Sequence, residues 1–327
     1  MTANSSVSSR NHQLILLIFA SPAAIVARVT NLRIRAVEAG DLIPVDLPAP
    51  RPDVDGARWR RTRVAVADGQ IVGIASVALS AATDSYFCEV EVVPGHRRRG
   101  IGTQLYAAVH RLTDPRFPVL ARAMDSFPLR RRFAEALGCS VVTRCPAPWI
   151  DPPTPAAESW ATGQQAPAGY RTTVIGDRPL AIVKDAWASS FAWVHRAFGA
   201  VHIDRIPQMW DQYSKGVDPA ASAVAVDRNQ TIVAFSLVSP DAWDGRTFIV
   251  AETAHPDQAH GTQVLGATVA TSVTVLARRG TRRVQLEGHT TDRHTPDVMR
   301  SLPAVGSDPM DILRLEPPPA VSRGGCR

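Results

Sequence analysis

The chain has 327 residues, enough for about two domains of ordinary size. Apolar residues make up 45% and charged residues 20%, which excludes a disordered, collagenous or disulfide-scaffold protein. The net charge of +6 is unevenly placed: residues 1–150 hold 19 arginines and no lysine against 12 acidic residues, whereas residues 151–327 hold 17 basic and 18 acidic. A basic half suits the phosphates of a cofactor or a nucleic acid, and charge alone does not choose between them. The four cysteines, Cys88, Cys139, Cys145 and Cys326, show no C-x-x-C spacing, so neither a zinc site nor a disulfide framework is expected and a cytoplasmic location fits.

Residues 1–28 read as an N-terminal extension. Arg10, an apolar run from Leu14 to Ala20 and small residues up to Ala27 resemble a secretory signal. A packed strand or helix, or an extension upstream of the true start, are the other readings. Pro22 lies inside this run, which is too short to span a bilayer, and no membrane association is expected.

A first domain is expected over residues 29–145. Leu32 to Val37 alternates like a half-buried strand. Pro44, Pro48, Pro50 and Pro52 forbid a long helix after it. Arg61–Ala67, the turn Asp68-Gly69 and Ile71–Leu79 form a hairpin, followed by a strand from Tyr86 to Val93. The pattern then predicts a helix from Gly100, a strand over Val119–Met124, a helix over Leu129–Leu137 stopped by Gly138, and a last strand over Cys139–Arg144.

Residues 146–168 are rich in proline without hydrophobic period and read as a linker. A second domain, over residues 169–316, repeats the order of the first. Two helical stretches lie within 179–214, a hairpin turns at residues 227–230, a strand ends at His255-Pro256, a helix covers Gly261–Arg279 and a strand Arg283–Glu287. A flexible tail is expected over 317–327. The fold class is therefore α+β, with two tandem domains.

The strongest motif is Val92-Val93-Pro94-Gly95-His96-Arg97-Arg98-Arg99-Gly100-Ile101-Gly102-Thr103. A strand ends, glycines follow and a helix opens, so the free N–H groups of the first helical turn point at one spot with positive potential. Glycine allows close approach to the backbone, and the arginines add charge-assisted bonds. A phosphate-bearing ligand is the chemical expectation.

The Arg97-x-x-Gly100-x-Gly102 segment, its Val-x-Pro lead, the strand order around it and Leu137-Gly138 resemble the GCN5-related N-acetyltransferase (GNAT) superfamily. The resemblance implies two GNAT-like domains, each a mixed, mostly antiparallel sheet flanked by helices. It implies acetyl-CoA or another acyl-CoA as co-substrate and no metal. The amides of Arg97, Arg98, Arg99, Gly100, Ile101, Gly102 and Thr103 would surround the diphosphate, and the backbone at Val92 and Val93 would pair with the pantetheine arm. The corresponding loop of the second half, Pro256 to Gln263, keeps Gln258-x-x-Gly261 but holds Gln263 in place of the second small residue and has no arginine. That half resembles a degenerate copy.

Acyl transfer to an amine needs a proton acceptor and stabilisation of an oxyanion. Glu91 and Glu89 share one face of the strand before the loop; Glu91 is the slightly preferred base, and a backbone N–H at Val92 or Val93 is the expected oxyanion donor. The resemblance also implies a tyrosine acid after the next strand, but Phe133 and Ala134 occupy that region, leaving Ser126 as a substitute or no acid at all. Cys139 reads as a core residue. Glu287, His289, Asp292 and His294 lack the spacing of a metal site. The expected activity is acyl transfer to a small-molecule amine, its pocket completed by the second domain. An aminoacyl-tRNA-dependent transferase on the same fold and a non-catalytic CoA-binding protein are the alternatives.

Overall fold

A computed structural model describes residues 31–242 and 246–318. The expected extension (1–28) and most of the expected tail (317–327) lie outside the described residues. The hairpin anchors the first sheet: β2 (Arg60–Ala67) and β3 (Gln70–Leu79) are joined by Asp68 and Gly69, both at positive φ (49° and 79°), the geometry a two-residue turn demands. β1 (Arg33–Ala36) pairs on one side and β4 (Tyr86–Val92) on the other, both antiparallel. A crossover through α1 (Ile101–His110) brings β5 (Val119–Met124) parallel to β4, and α2 (Pro128–Leu137) leads to β6 (Cys139–Cys145).

The second half starts earlier than the composition suggests. Residues 146–168 are no bare linker: they hold β7 (Pro148–Ile150) and α3 (Pro155–Gly163). Thr154 Oγ1 accepts the Ala157 N–H at 3.3 Å and Pro155 occupies the first turn, where its missing N–H costs nothing. Ala157 is buried and Trp160 packs on the second core, so one alanine and one tryptophan make a face too narrow to register as a period. The chain continues through β8 (Arg171–Val174), α4 (Lys184–Val194), α5 (Ile206–Tyr213), β9 (Ala223–Val226), β10 (Ile232–Ala242), β11 (Arg246–Thr253), α6 (Gly261–Arg278), β12 (Val284–Glu287) and α7 (Thr295–Ser301). Two strands close it, β13 (Gly306–Ser307) and β14 (Met310–Leu315).

The two halves exchange strands. The first sheet has the order β1-β2-β3-β4-β5-β14-β6, so the C-terminal strand lies between β5 and β6. The second runs β13-β7-β12-β11-β10-β9-β8, with β7 antiparallel to β12. Cys139–Arg144 is thus an edge strand, and the first sheet is completed by residues nearly two hundred positions downstream. Ile312, Leu313 and Leu315 are buried there.

α1 and α2 cover one face of the first sheet, packing Leu105, Tyr106, Ala134 and Leu137 against Cys88 and Ala123. On part of the opposite face, Phe198 from the second half packs against Leu120 and Ile312. The β3–β4 turn docks on the chain before α5: Asp84 N–H bonds Ala200 O at 2.8 Å, His202 N–H bonds Ala82 O at 2.7 Å, and His202 Nε2 meets Asp84 Oδ1 at 2.6 Å. Gly199, at φ 154°, permits this contact, because a Cβ there would lie 2.4 Å from Asp84 O. Among the described residues no helix is long and apolar enough to cross a membrane.

Candidate active site

β4 and β5 pair only at Tyr86–Val119 and Phe87–Leu120, then part. Phe87, Glu89 and Arg122 line the resulting gap on the side of the second half, and Phe133 and Ala134 line it beneath α2. Val93 N–H is committed to Val72 O at 3.0 Å. Ladder alternation therefore turns the amides of Glu89 and Glu91 toward β3, and those of Cys88, Val90 and Val92 toward the gap. Of the two expected oxyanion donors, only Val92 faces the opening.

At the end of β4, Pro94–His96 form a single 3-10 turn. Arg97, Arg98 and Arg99 are exposed, and Arg98 takes φ 63°. Gly100 follows at φ 78° as the N-cap of α1, a left-handed position that glycine fills without strain. Gln104 N–H bonds back to Gly100 O at 3.1 Å, so the amides of Ile101, Gly102 and Thr103 precede the first helical hydrogen bond. At Gly102 a Cβ would lie 3.0 Å from the Phe133 ring, which explains a hydrogen side chain there. Arg97 Nε donates to Val92 O at 2.8 Å, folding that side chain back over the strand end.

Glu89 and Glu91 share a face, as expected, but not an environment. Glu91 Oε1 accepts from Arg130 of α2 at 2.8 Å. Glu89 is exposed to the gap and makes no hydrogen bond or ion pair among the described residues. Ser126 bonds Asp308 through Oγ at 2.9 Å and does not line the gap. Cys139 packs on the first core, and burial raises its pKa. Cys88 lies under the gap with its thiol pushed up to about 12 by burial and the Glu89 charge, so it stays protonated. Arg122 and Arg130 carry no local signal in the sequence, because the β4–β5 register that sets Arg122 across the gap from Glu89 and the packing of α2 that brings Arg130 to Glu91 are both long-range.

The corresponding place in the second half is occupied by its own side chains. His260 takes the left-handed N-cap position of α6 at φ 55°, where the first half has Gly100, so the loop between strand and helix is one residue shorter. A Cβ on Gly261 would lie 2.5 Å from the His294 ring, whose Nε2 bonds Pro256 O at 3.0 Å; the imidazole covers the opening turn of α6. Thr253 N–H, the counterpart of Val92 N–H when Ala254→Val233 is aligned with Val93→Val72, donates to Asp292 Oδ2 at 3.2 Å. Asp292 is fully buried, and that burial raises its pKa against the amides of His294 and Thr253. Glu252, the counterpart of Glu91, bonds His289 Nδ1 at 3.1 Å. His289, Asp292 and His294 thus serve separate structural contacts, and among the described residues no group of three or more His, Cys, Asp or Glu is arranged to hold a metal.

Residues 35–138 match the sequence model of the Acetyltransferase (GNAT) family. No curated protein matches the chain in sequence. A GCN5-related N-acetyltransferase from Sphaerobacter thermophilus has a similar structure, with TM-score 0.56 and 21% identity over 81% of this chain and 83% of that one. A tandem GNAT protein from the clavulanic acid biosynthesis pathway, solved without AcCoA, gives TM-score 0.55 and 18% identity over 89% of this chain and 100% of that one. A GCN5-related glucosamine N-acetyltransferase region in a fungal multi-domain GH3 beta-N-acetylglucosaminidase gives 0.53 and 12%, over 78% and 33%. The parted β4–β5 pair, the glycine-opened helix and these likenesses lead to one assignment: the chain has the fold of a tandem GNAT protein, and its residues 35–138 match the GNAT family model.

Proposed function

We propose that the protein is an acyl-CoA-dependent N-acyltransferase that uses acetyl-CoA and passes the acetyl group directly to the amine of a small molecule. The observation that carries this reading is the conjunction, in the first half alone, of an open β4–β5 gap, an unpaired Val92 amide facing it and a glycine-opened helix at its end. The Arg97 N–H is held by Pro94 O at 3.3 Å, so the diphosphate of the donor would lie on the amides of residues 98–103, with Arg98 and Arg99 supplying charge and the Arg97 side chain released from Val92 O. The thioester would then reach the gap beside Val92 N–H.

Glu89 is the better base on this geometry, because Arg130 already engages Glu91. Glu89 takes a proton from the acceptor ammonium, and the freed nitrogen lone pair attacks the thioester carbon. Val92 N–H stabilises the oxyanion. Collapse breaks the C–S bond, CoA leaves as a thiolate, and the nitrogen's second proton passes through solvent to that sulfur, so that a neutral amide and the CoA thiol result. Phe133 and Ala134 offer no acid at that end of the gap, and a thiolate is a good enough leaving group to depart without one.

Calorimetric titration of acetyl-CoA into the full chain tests this, beside an Arg97→Glu, Gly100→Asp double variant. Micromolar binding that the double variant loses supports the reading; undiminished binding in the variant overturns the assignment of the loop.

A further inference from the structure

Arg122 lies at the floor of the gap, where it explains nothing about the fold. Its guanidinium carbon sits 4.2 Å from the centre of the Phe87 ring, so one face is stacked and the donor edge is left over. Among the described residues it makes no hydrogen bond or ion pair, whereas Arg35, Arg61, Arg63, Arg116, Arg130 and Arg131 each hold a carboxylate. The charges that act on it are Glu89 from the first half and Glu287 from the second, neither within bonding reach. Desolvation by the surrounding protein pulls its pKa down, although the residue is exposed along the gap.

The register explains why Glu89 and Arg122 do not simply neutralise each other. Tyr86 pairs with Val119 and Phe87 with Leu120, so two positions further on Glu89 would stand opposite Arg122. The strands part at that point and hold the two opposite charges apart, both on the face toward the second half. A purely cationic amine would satisfy Glu89 and leave Arg122 unpaired and repelling it. A molecule with an ammonium and an anion a few bonds apart satisfies both. One guanidinium flanked by two carboxylates suits a singly charged carboxylate, matched edge to edge, better than a doubly charged phosphate.

Resting on the acyltransferase reading above, we propose that the acceptor is a carboxylate-bearing amine of the amino-acid class, its ammonium on Glu89 and its carboxylate on the free edge of Arg122. Arg122 is then the residue that sets acceptor specificity.

The test uses the full chain, acetyl-CoA and a thiol-release assay. Amino acids are compared with their amides and with the corresponding decarboxylated amines, in the wild type and in Arg122→Met. The wild type is expected to prefer the acids. Arg122→Met should raise KM for the acids by about tenfold or more, the usual worth of a charge-assisted bond, and lower KM for the amides, which the lost guanidinium no longer repels, with acetyl-CoA binding by calorimetry retained. Equal use of acids and amides by the wild type overturns the proposal, as does an unaltered KM in a variant that still binds acetyl-CoA. Acetyl-CoA binding without turnover of any carboxylate-bearing amine overturns it too. A loss confined to succinyl-CoA as donor would place the carboxylate on the acyl group, and the acceptor assignment would fall. If wild-type protein binds no acetyl-CoA, it is the acyltransferase reading that fails, and the calorimetry separates that case from the others.

Discussion

Glu89 and Glu91 lie two residues apart on one strand face, yet their neighbours divide their roles. Arg130 holds Glu91 at 2.8 Å, while Glu89 faces the gap alone. Glu89→Gln is therefore expected to lower kcat by about 10²–10⁴, the range of a lost general base, with acetyl-CoA affinity retained. Glu91→Gln should cost less than about tenfold, since an Arg–carboxylate pair of this exposure is worth only about 1 kcal/mol. Steady-state kinetics on the two variants decide between them, and the reverse ranking would restore Glu91 as the base. A second residue-scale consequence concerns pH. His195 stacks on Phe191 with 3.8 Å between ring centres and touches His289. Burial first, then the His289 charge, push its pKa from 6.5 to about 3, against the opposing pull of Glu252 and the Phe191 carbonyl and with Arg122 adding to the depression. The unfolded chain would take up this proton near pH 6.5 and the folded protein only near 3, so stability present above about pH 6.5 is lost as the pH falls through that window. His289 has the opposite sign. Burial disfavours its charge, but the Cys145 sulfur and Glu252 carboxylate raise its pKa well above 6.5, so its contribution is full below 6.5 and fades on the alkaline side. In urea titrations between pH 7 and 4, His195→Phe should flatten the acid loss of stability by close to one proton. An unchanged slope would show that His195 is solvated in the native state.

At the scale of elements, the exchange of β7 and β14 makes each sheet depend on distant chain. β14 buries Ile312, Leu313 and Leu315 between β5 and β6. Fully burying such side chains is worth about 1.5–3 kcal/mol each, which together rivals the entire stability of an ordinary domain. Ending the chain at residue 308 should therefore abolish cooperative unfolding of the first half, and residues 29–145 expressed alone should neither fold cooperatively nor turn over substrate. A sharp thermal transition for either fragment, followed by circular dichroism, would contradict this. The same exchange marks where sequence reading stops. The β2–β3 hairpin announces itself through Asp68-Gly69, and the α1 loop through glycines placed between a strand and a helix, because these are local demands on φ and on backbone approach. β14 has no such signal: Met310 to Leu315 reads as a short apolar run, and its partners lie far away in the chain. α3 was hidden behind prolines that mark a helix start as readily as a linker. The placing of Glu89 and Arg122 on opposite sides of the gap was equally invisible, since parallel register depends on how the crossover helix packs.

Over the whole molecule, two copies of one fold have diverged by what fills the space between the parted strands and the helix that follows. In the first half that space is open, with Val92 N–H unpaired, Gly100 at the N-cap and three arginines at the rim. In the second, Asp292 takes the equivalent amide at Thr253, His294 covers the first turn of α6 and His260 replaces the N-cap glycine. The electrostatics agree, because that loop has no arginine, and Arg293 beside it is already paired with Asp257 at 3.0 Å. Phe198 of the second half packs against Leu120 and Ile312 of the first sheet, which gives a physical reason for retaining that half. Calorimetry should accordingly count one acetyl-CoA per chain. His294→Ala is the sharper probe, since it uncovers the α6 terminus but leaves Asp292 on Thr253 and the loop without an arginine; the count should remain one. A second equivalent site in the wild type would mean that the Asp292–His294 segment moves aside for a donor, and the division of labour between the halves would have to be abandoned.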